Sequence, residues 1–343
     1  MQGPDPREIS IDPPLIRTLK QFRRISPQEQ HKMDVATQWI IKDLLRSSAV
    51  TSSCGLPGSF KSWLTLDAAV CIANGVPEFL GYPIQTHGPV LIICADDGAR
   101  LVIKRLRAIS QYRLGTPHYC DIDLIDRGEV NLALPEKDIS PVLSNTLYTM
   151  YEEYEATYPV LLVVDTSAMA GVPTKDYGME IPGKLGWLKR ISADFHCAMQ
   201  FIDHMAQEGN ADLDPRIKIW GGMNKAGFYE GAWVMNKEGD FRVNFEASDK
   251  DAAKPTNMWL QFGDEEGRYS VEIIGGGDSD PTMDAIVGAL DIEMTIGSIA
   301  NILGLNHETA RRKVNALQAQ GRITVTTPAA GRRPAMFARA ITL

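Results

Sequence analysis

The feature that most constrains this chain is one turn, Gly55-Leu56-Pro57-Gly58-Ser59-Phe60-Lys61-Ser62, set between an apolar run at residues 49–53 and the helical pattern that opens at Trp63-Leu64-Thr65-Leu66. Small residues let backbone N–H groups close around phosphate oxygens, a lysine reaches the β and γ phosphates, and a hydroxyl suits Mg²⁺. Gly55, Gly58, Lys61 and Ser62 stand at that spacing, and Pro57, Ser59, Phe60 and Trp63 complete the candidate binding segment. Phe60 fills the place usually held by glycine before the lysine, so the strict pattern fails at one position. A phenylalanine that opens a helix is expected at a helical φ of about −60°, with its ring turned from the phosphates.

A turn of this kind needs a sheet behind it. Short Val- and Ile-rich runs at 49–53, 89–95, 160–165 and 198–203 alternate with helical stretches, which predicts a mostly parallel sheet covered on both faces. Runs at 241–245, 258–262 and 269–274 follow closely and predict an antiparallel extension. The parallel runs end in polar residues where open α/β sheets bind ligands. Asp96 follows the second run and is a candidate for polarising an attacking water, or a helix cap with Asp97. Asp165 ends the third and suits a Mg²⁺ shell with Ser62 as the direct ligand. His204 ends the fourth, as a γ-phosphate sensor or a cap.

Length and charge then divide the chain. Its 343 residues exceed one minimal core, and 44% hydrophobic with 23% charged residues excludes global disorder. Five scattered cysteines without a C-x-x-C pair and six histidines without ligand spacing indicate neither a disulfide framework nor a zinc site. No apolar run reaches the roughly 18 to 20 residues of a membrane span, and the polar start lacks a secretory signal, so a cytoplasmic location is expected. The divisions are an arm at 1–35, the sheet domain at 36–274, a Gly/Asp linker at 275–281 and a tail at 282–343. The arm and the residues up to about 45 read as mostly helix-compatible, with Ser26-Pro27 opening a helix.

In the tail, helical patterns at 282–293, 298–303 and 306–320 surround the turn Gly304-Leu305, and strands at 322–327 and 336–341 flank a loop. This is a winged helix-turn-helix pattern. From Thr295 onward seven basic residues face the single acid Glu308, a net +6 within a chain of net charge −8, leaving about −14 for the rest. Arg311, Arg312 and Lys313 sit where a recognition helix would lie, and Arg332 and Arg333 at the wing tip. They are candidates for DNA phosphate contacts, with protein binding or packing on the sheet domain as the alternatives.

Taken together, Trp39-Ile40-Ile41-Lys42-Asp43-Leu44-Leu45, the Gly58-to-Asp67 block, Gly88-Pro89-Val90-Leu91-Ile92-Ile93-Cys94-Ala95-Asp96-Asp97 and Val163-Val164-Asp165-Thr166 resemble the RepA-like branch of the RecA/DnaB ATPases, the replicative helicases of phages and plasmids. The resemblance covers roughly residues 35 to 270. It implies a RecA-like α/β fold, ATP with Mg²⁺, a homo-hexameric ring with ATP at subunit interfaces, single-stranded DNA in its channel, and a possible replication-initiation partner. It also implies a basic residue completing the site from the adjacent subunit, placed at Lys250 with Arg242 as second choice, or else a plain surface charge. The loop at 170–184, with Lys175 and Lys184, is placed at the channel or on the free surface. Where relatives have glutamate as the base this chain has Asp96, and where they have a His-His pair it has Asp203-His204. A DNA motor is therefore expected, with an ATP-switched DNA-binding or loader protein of slow turnover as the alternative.

Overall fold

The computed structural model describes residues 26–32, 36–172, 180–205, 227–263, 268–276, 280–290, 292–320, 322–329 and 334–340, with backbone only at 180–184. Of the unit Met1–Thr37 it describes one helical turn, α1 (Pro27–Gln30), closed by a Ser26–Glu29 capping box.

The second unit, Gln38–Leu343, opens with β1 (Trp39–Ile41) and β2 (Leu45–Arg46), an antiparallel pair. It continues through β3 (Val50–Gly55), α2 (Lys61–Ala73), β4 (Glu78–Phe79), β5 (Tyr82–Pro83), β6 (Val90–Cys94), α3 (Gly98–Leu114), β7 (Ile122–Ile125), α4 (Glu136–Glu153), β8 (Leu161–Asp165), α5 (Glu180–Asp194) and β9 (Ala198–His204). After it come β10 (Gly231–Glu238), β11 (Arg242–Asp249), β12 (Thr256–Phe262) and β13 (Val271–Gly276). The chain ends in α6 (Pro281–Ala289), α7 (Ile296–Ile302), α8 (His307–Ala319), β14 (Ile323–Thr327) and β15 (Met336–Arg339).

Nine strands form one sheet in the order β13-β12-β11-β10-β3-β9-β8-β6-β7. The block from β7 to β10 is parallel and β11 to β13 extend it antiparallel. Both faces are covered, which is why the apolar runs are continuous. In β6, Val90, Ile92 and Cys94 point to the core under α2 and α3, while Leu91 and Ile93 point to the core under α4 and α5; β8 divides the same way. The expected α/β, RecA-like sheet covered by helices is the fold of this chain. Four of the five cysteines are buried and none is bonded.

Several expectations change. Trp39 to Ile41 is a strand rather than helix, because Ile40 and Ile41 are fully buried. Two strands of the nine-stranded sheet are not read from the sequence, β7 at the sheet edge, half-buried throughout, and β10, which pairs directly with β3; nor are the short β2, β4 and β5. The linker shortens at both ends, since Gly275 and Gly276 continue β13 opposite Trp259 and Met258 while Asp280 caps and Pro281 opens α6. The remaining linker positions 277–279 and the expected helix stop Gly321 lie outside the described residues.

The three terminal helices and the β14–β15 pair share a small core of Ile286, Leu290, Ile299, Val314, Leu317 and Phe337. Asp280, Thr295 and Asn306 cap these helices, each side chain accepting from a backbone N–H of the following turn. These helices rest on the sheet through Lys313, which lies between Glu238 (2.7 Å) and Asp280 and over the Trp259 ring at 4.7 Å.

Candidate nucleotide site

Parallel register brings the polar strand ends to one edge. Gly55 of β3 lies opposite His204 of β9 and Met235 of β10, and Cys94 of β6 lies opposite Asp165 of β8. The turn Gly55–Ser62 rises from this edge into α2. Gly55 is required there, because a Cβ would stand 2.3 Å from Ser59 Oγ and 2.6 Å from the Met235 carbonyl oxygen. Gly58 takes a left-handed φ of 75°.

Phe60 departs from expectation. Its φ is +63°, the left-handed conformation of a glycine, so the helical φ of the sequence reading is corrected. The loop must turn sharply here to enter α2, which costs a non-glycine residue about 1 to 2 kcal/mol. Packing offsets this: the ring stacks on Phe262 at 4.2 Å and 8°, lies near Phe241, and has Lys237 above it at 5.9 Å. Trp63 is placed similarly, stacked on Tyr269 at 5.3 Å with the Arg105 guanidinium 5.8 Å from its ring centroid. Phe262, Tyr269 and Arg105 were not read from the sequence; they are remote in the chain, and only the pairing of aromatics in the turn with aromatic strands at 241–269 hinted at them.

Lys61 is buried, and its Nζ folds back to donate to the Leu56 carbonyl at 3.4 Å. Burial lowers its pKa and Asp165 opposes that shift. Asp165 is 2% exposed and accepts a bond from Ser62 Oγ at 3.3 Å through Oδ1, while Oδ2 has no partner among the described residues. Burial pushes its pKa up to about 6, against the opposing pull of Arg105 and Ser62. Ser59 Oγ is also buried without a partner among the described residues, and α2 begins with no side-chain cap. An uncapped helix end, a buried lysine and an unsatisfied carboxylate oxygen beside a serine hydroxyl are the donor set for a phosphate and its Mg²⁺. Lys61 and the loop amides would hold the phosphates; Ser62 and Asp165 would hold Mg²⁺, which supplies charge neutralisation when bound.

The other candidates are placed as follows. Asp96 is exposed at the same edge, its N–H bonded to the Asp165 carbonyl oxygen, but β6 is not beside β3: β9 and β8 stand between them. Asp97 occupies the N-cap position of α3 without capping it and instead pairs with Arg105 at 2.6 Å. His204 is half-buried next to the turn. Its neighbour Asp203 is structural, accepting from Ser52, Ser167 and Tyr229. Lys250 is exposed at the opposite end of the sheet, where β11 faces the start of β10. Arg242 is near the turn end, its Nε donating to Gln261.

Among the tail cations, Lys313 is a correction: at 5% side-chain exposure, between two carboxylates, it is not presented to a polyanion. Arg312 is 65% exposed but reaches the same Glu238 at 3.3 Å, whereas Arg311 has only the exposed Glu308 at 3.8 Å. Lys175, Arg332 and Arg333, and the side chain of Lys184, lie outside the described residues. Among the described residues no helix is long and apolar enough to cross a membrane.

A search of curated proteins returned no match to the chain. A family model described as an AAA domain matches residues 21–210, a span that holds the Gly55–Ser62 turn, Asp96, Asp165 and His204. With more than half of its length matched, and with the turn, lysine, serine and acid of a P-loop ATPase at one sheet edge, the chain belongs to this AAA-domain family.

Proposed function

We propose that the chain is an ATP-driven motor on DNA, of the replicative helicase type of phages and plasmids, working as a homo-hexamer with ATP between subunits. The observation that carries the ATP chemistry is the Ser62–Asp165 contact at the foot of an uncapped helix, with Lys61 buried beside it. In this reading the loop N–H groups and Lys61 stabilise charge on the β and γ phosphates. Ser62 and Asp165 hold Mg²⁺, Asp96 orients the attacking water and accepts its proton, and His204 sits where loss of the γ-phosphate is felt. Lys250 is favoured over Arg242 as the residue given to a neighbouring subunit, because it is exposed and Arg242 Nε is already bonded to Gln261.

The DNA part rests on the family resemblance and on the tail. The order helix-helix-helix-hairpin around its own core fits a winged helix, with Arg311, Arg312, Arg332 and Arg333 for duplex or fork phosphates, and Lys175 and Lys184 for a single strand. A replication-initiation protein is the partner expected to load such a ring. The test is turnover: DNA-stimulated ATP hydrolysis abolished by Lys61→Ala, together with strand separation, supports the motor.

A second reading is favoured by one observation. Asp96 has a side chain one methylene shorter than glutamate and sits with two strands between its own and β3. An ATP-switched DNA-binding or loader protein would then bind ATP tightly, turn it over slowly and separate no strands; single-turnover hydrolysis distinguishes the two.

A further inference from the structure

Four cations outside the nucleotide site share one concave surface. Arg100, Lys104 and Arg107 line one face of α3, and Arg127, in the turn after β7, closes a groove of about 810 Å³ that also takes in Asp97 and Leu101. All four cations are exposed, and none forms a salt bridge among the described residues. The two inward-turned arginines of the same helix are both paired at 2.6 Å, Arg105 with Asp97 and Arg113 with Asp67. Asp126, next to Arg127 in the chain, gives one carboxylate oxygen to the backbone N–H groups of Ala99 and Arg127.

Unpaired cations gathered in a groove repel one another, and here they do so on a part of the chain whose overall charge is about −14. An anion laid in the groove would relieve that repulsion. Its shape follows from the helix. At 1.5 Å of rise per residue, Lys104 and Arg107 stand about 6 and about 10 Å along the axis from Arg100, so the charges form a line rather than converging on a point. A linear polyanion fits this better than one small ion. Three of the four are arginines, whose planar forks match pairs of phosphate oxygens. Exposed Leu101 adds an apolar surface beside them.

We propose that this groove between α3 and the turn after β7 holds the phosphodiester backbone of a single nucleic-acid strand. The proposal rests on the nucleic-acid reading given above, but it uses residues apart from the tail and from the loop at 170–184. The test is fluorescence anisotropy of a labelled oligothymidylate on the full chain across a salt series. Wild type is compared with the Arg100→Ala/Lys104→Ala/Arg107→Ala variant, with Mg²⁺–ATP binding as the check that the variant is folded.

The expected result is at least tenfold weaker binding at low salt and a salt slope shallower by about 2, at about 0.7 per lost phosphate contact, with nucleotide binding retained. If the triple variant does not bind nucleotide, the Lys104→Ala/Arg127→Ala pair carries the test, with a slope change of about 1.4 expected. A folded variant with wild-type affinity and slope overturns the groove and leaves the motor reading standing. Wild type that binds no strand at any salt overturns both. Polyglutamate bound through these residues, with the strand's slope unchanged, assigns the groove to an acidic protein segment and also overturns the proposal.

Discussion

Lys61 and Lys313 are both lysines buried beside carboxylates, in two regions that use charge differently. At the turn end of the sheet, Lys61 faces Asp165 with material left over: a carboxylate oxygen and a serine hydroxyl unpartnered among the described residues, and an uncapped helix. Beneath the terminal helices, Lys313 is balanced by Glu238 and Asp280, and Arg312 reaches the same Glu238. Leftover polar groups mark a place built for a ligand, whereas balanced ones mark a joint. A buried cation therefore says little until its neighbours' unmet bonds are known.

The comparison breaks most visibly at the site. Lys61→Ala is expected to lower ATP turnover about 100-fold or more while leaving thermal stability near wild type; a variant that unfolds instead would make Lys61 a structural lysine like Lys313. The converse holds at the joint. Lys313→Met removes the cation that joins Glu238 to Asp280, leaving Glu238 to the exposed Arg312 and Asp280 to its cap bonds, and is expected to destabilise the chain by about 3 kcal/mol in denaturant unfolding. Arg311→Ala, exposed and weakly paired, is expected within about 0.5 kcal/mol of wild type. Equal stability of the two would show that the terminal helices do not dock through Lys313.

Asp165 sharpens the contrast through pH. Its folded pKa, about 6, lies above the ordinary carboxylate value because burial disfavours the charge. The favourable protonated form contributes at low pH and is lost as pH rises through about 6. Asp165→Asn should therefore raise the stability of the nucleotide-free chain by about 2 kcal/mol at pH 8 and by little at pH 4. In wild type, Mg²⁺–nucleotide affinity should fall below about pH 6, as protons compete for that oxygen. Thermal melts and titrations across pH 5 to 8 check both.

The smallest effect concerns Phe60. Phe60→Ala keeps the left-handed strain and loses the Phe262 stack, while Phe60→Gly loses the stack and relieves the strain. The glycine variant should be the more stable by about 1 kcal/mol, with nucleotide binding retained in both.

What the sequence disclosed follows the same division. Gly55, Gly58, Lys61, Ser62 and Asp165 were legible because backbone closure around phosphate dictates residue type at fixed spacing, and continuous apolar runs dictate buried parallel strands. The place of Asp96 at the end of β6 was legible, but strand order was not, since β9 and β8 come later in the chain yet pair between β6 and β3. β10 was missed because Gly231-Ala232-Trp233-Val234-Met235 opens on glycine and has a single valine, without the Val- and Ile-rich run by which the other buried parallel strands were read. The tail's net charge misled for Lys313: counting charge cannot show that its partners are Glu238 and Asp280, 75 and 33 residues earlier. Phe60 was read as helical because its compensation comes from Phe262, 202 residues away.

The most direct measurement is a calorimetric titration of the full chain with a non-hydrolysable ATP analogue and Mg²⁺, repeated on Gly55→Ala, whose Cβ would collide with Ser59 Oγ and the Met235 carbonyl. Binding of one nucleotide per chain by wild type and none by the folded variant is the predicted result. No heat with wild type, or equal binding by both, would contradict a triphosphate cradled on the turn that ends at Ser62.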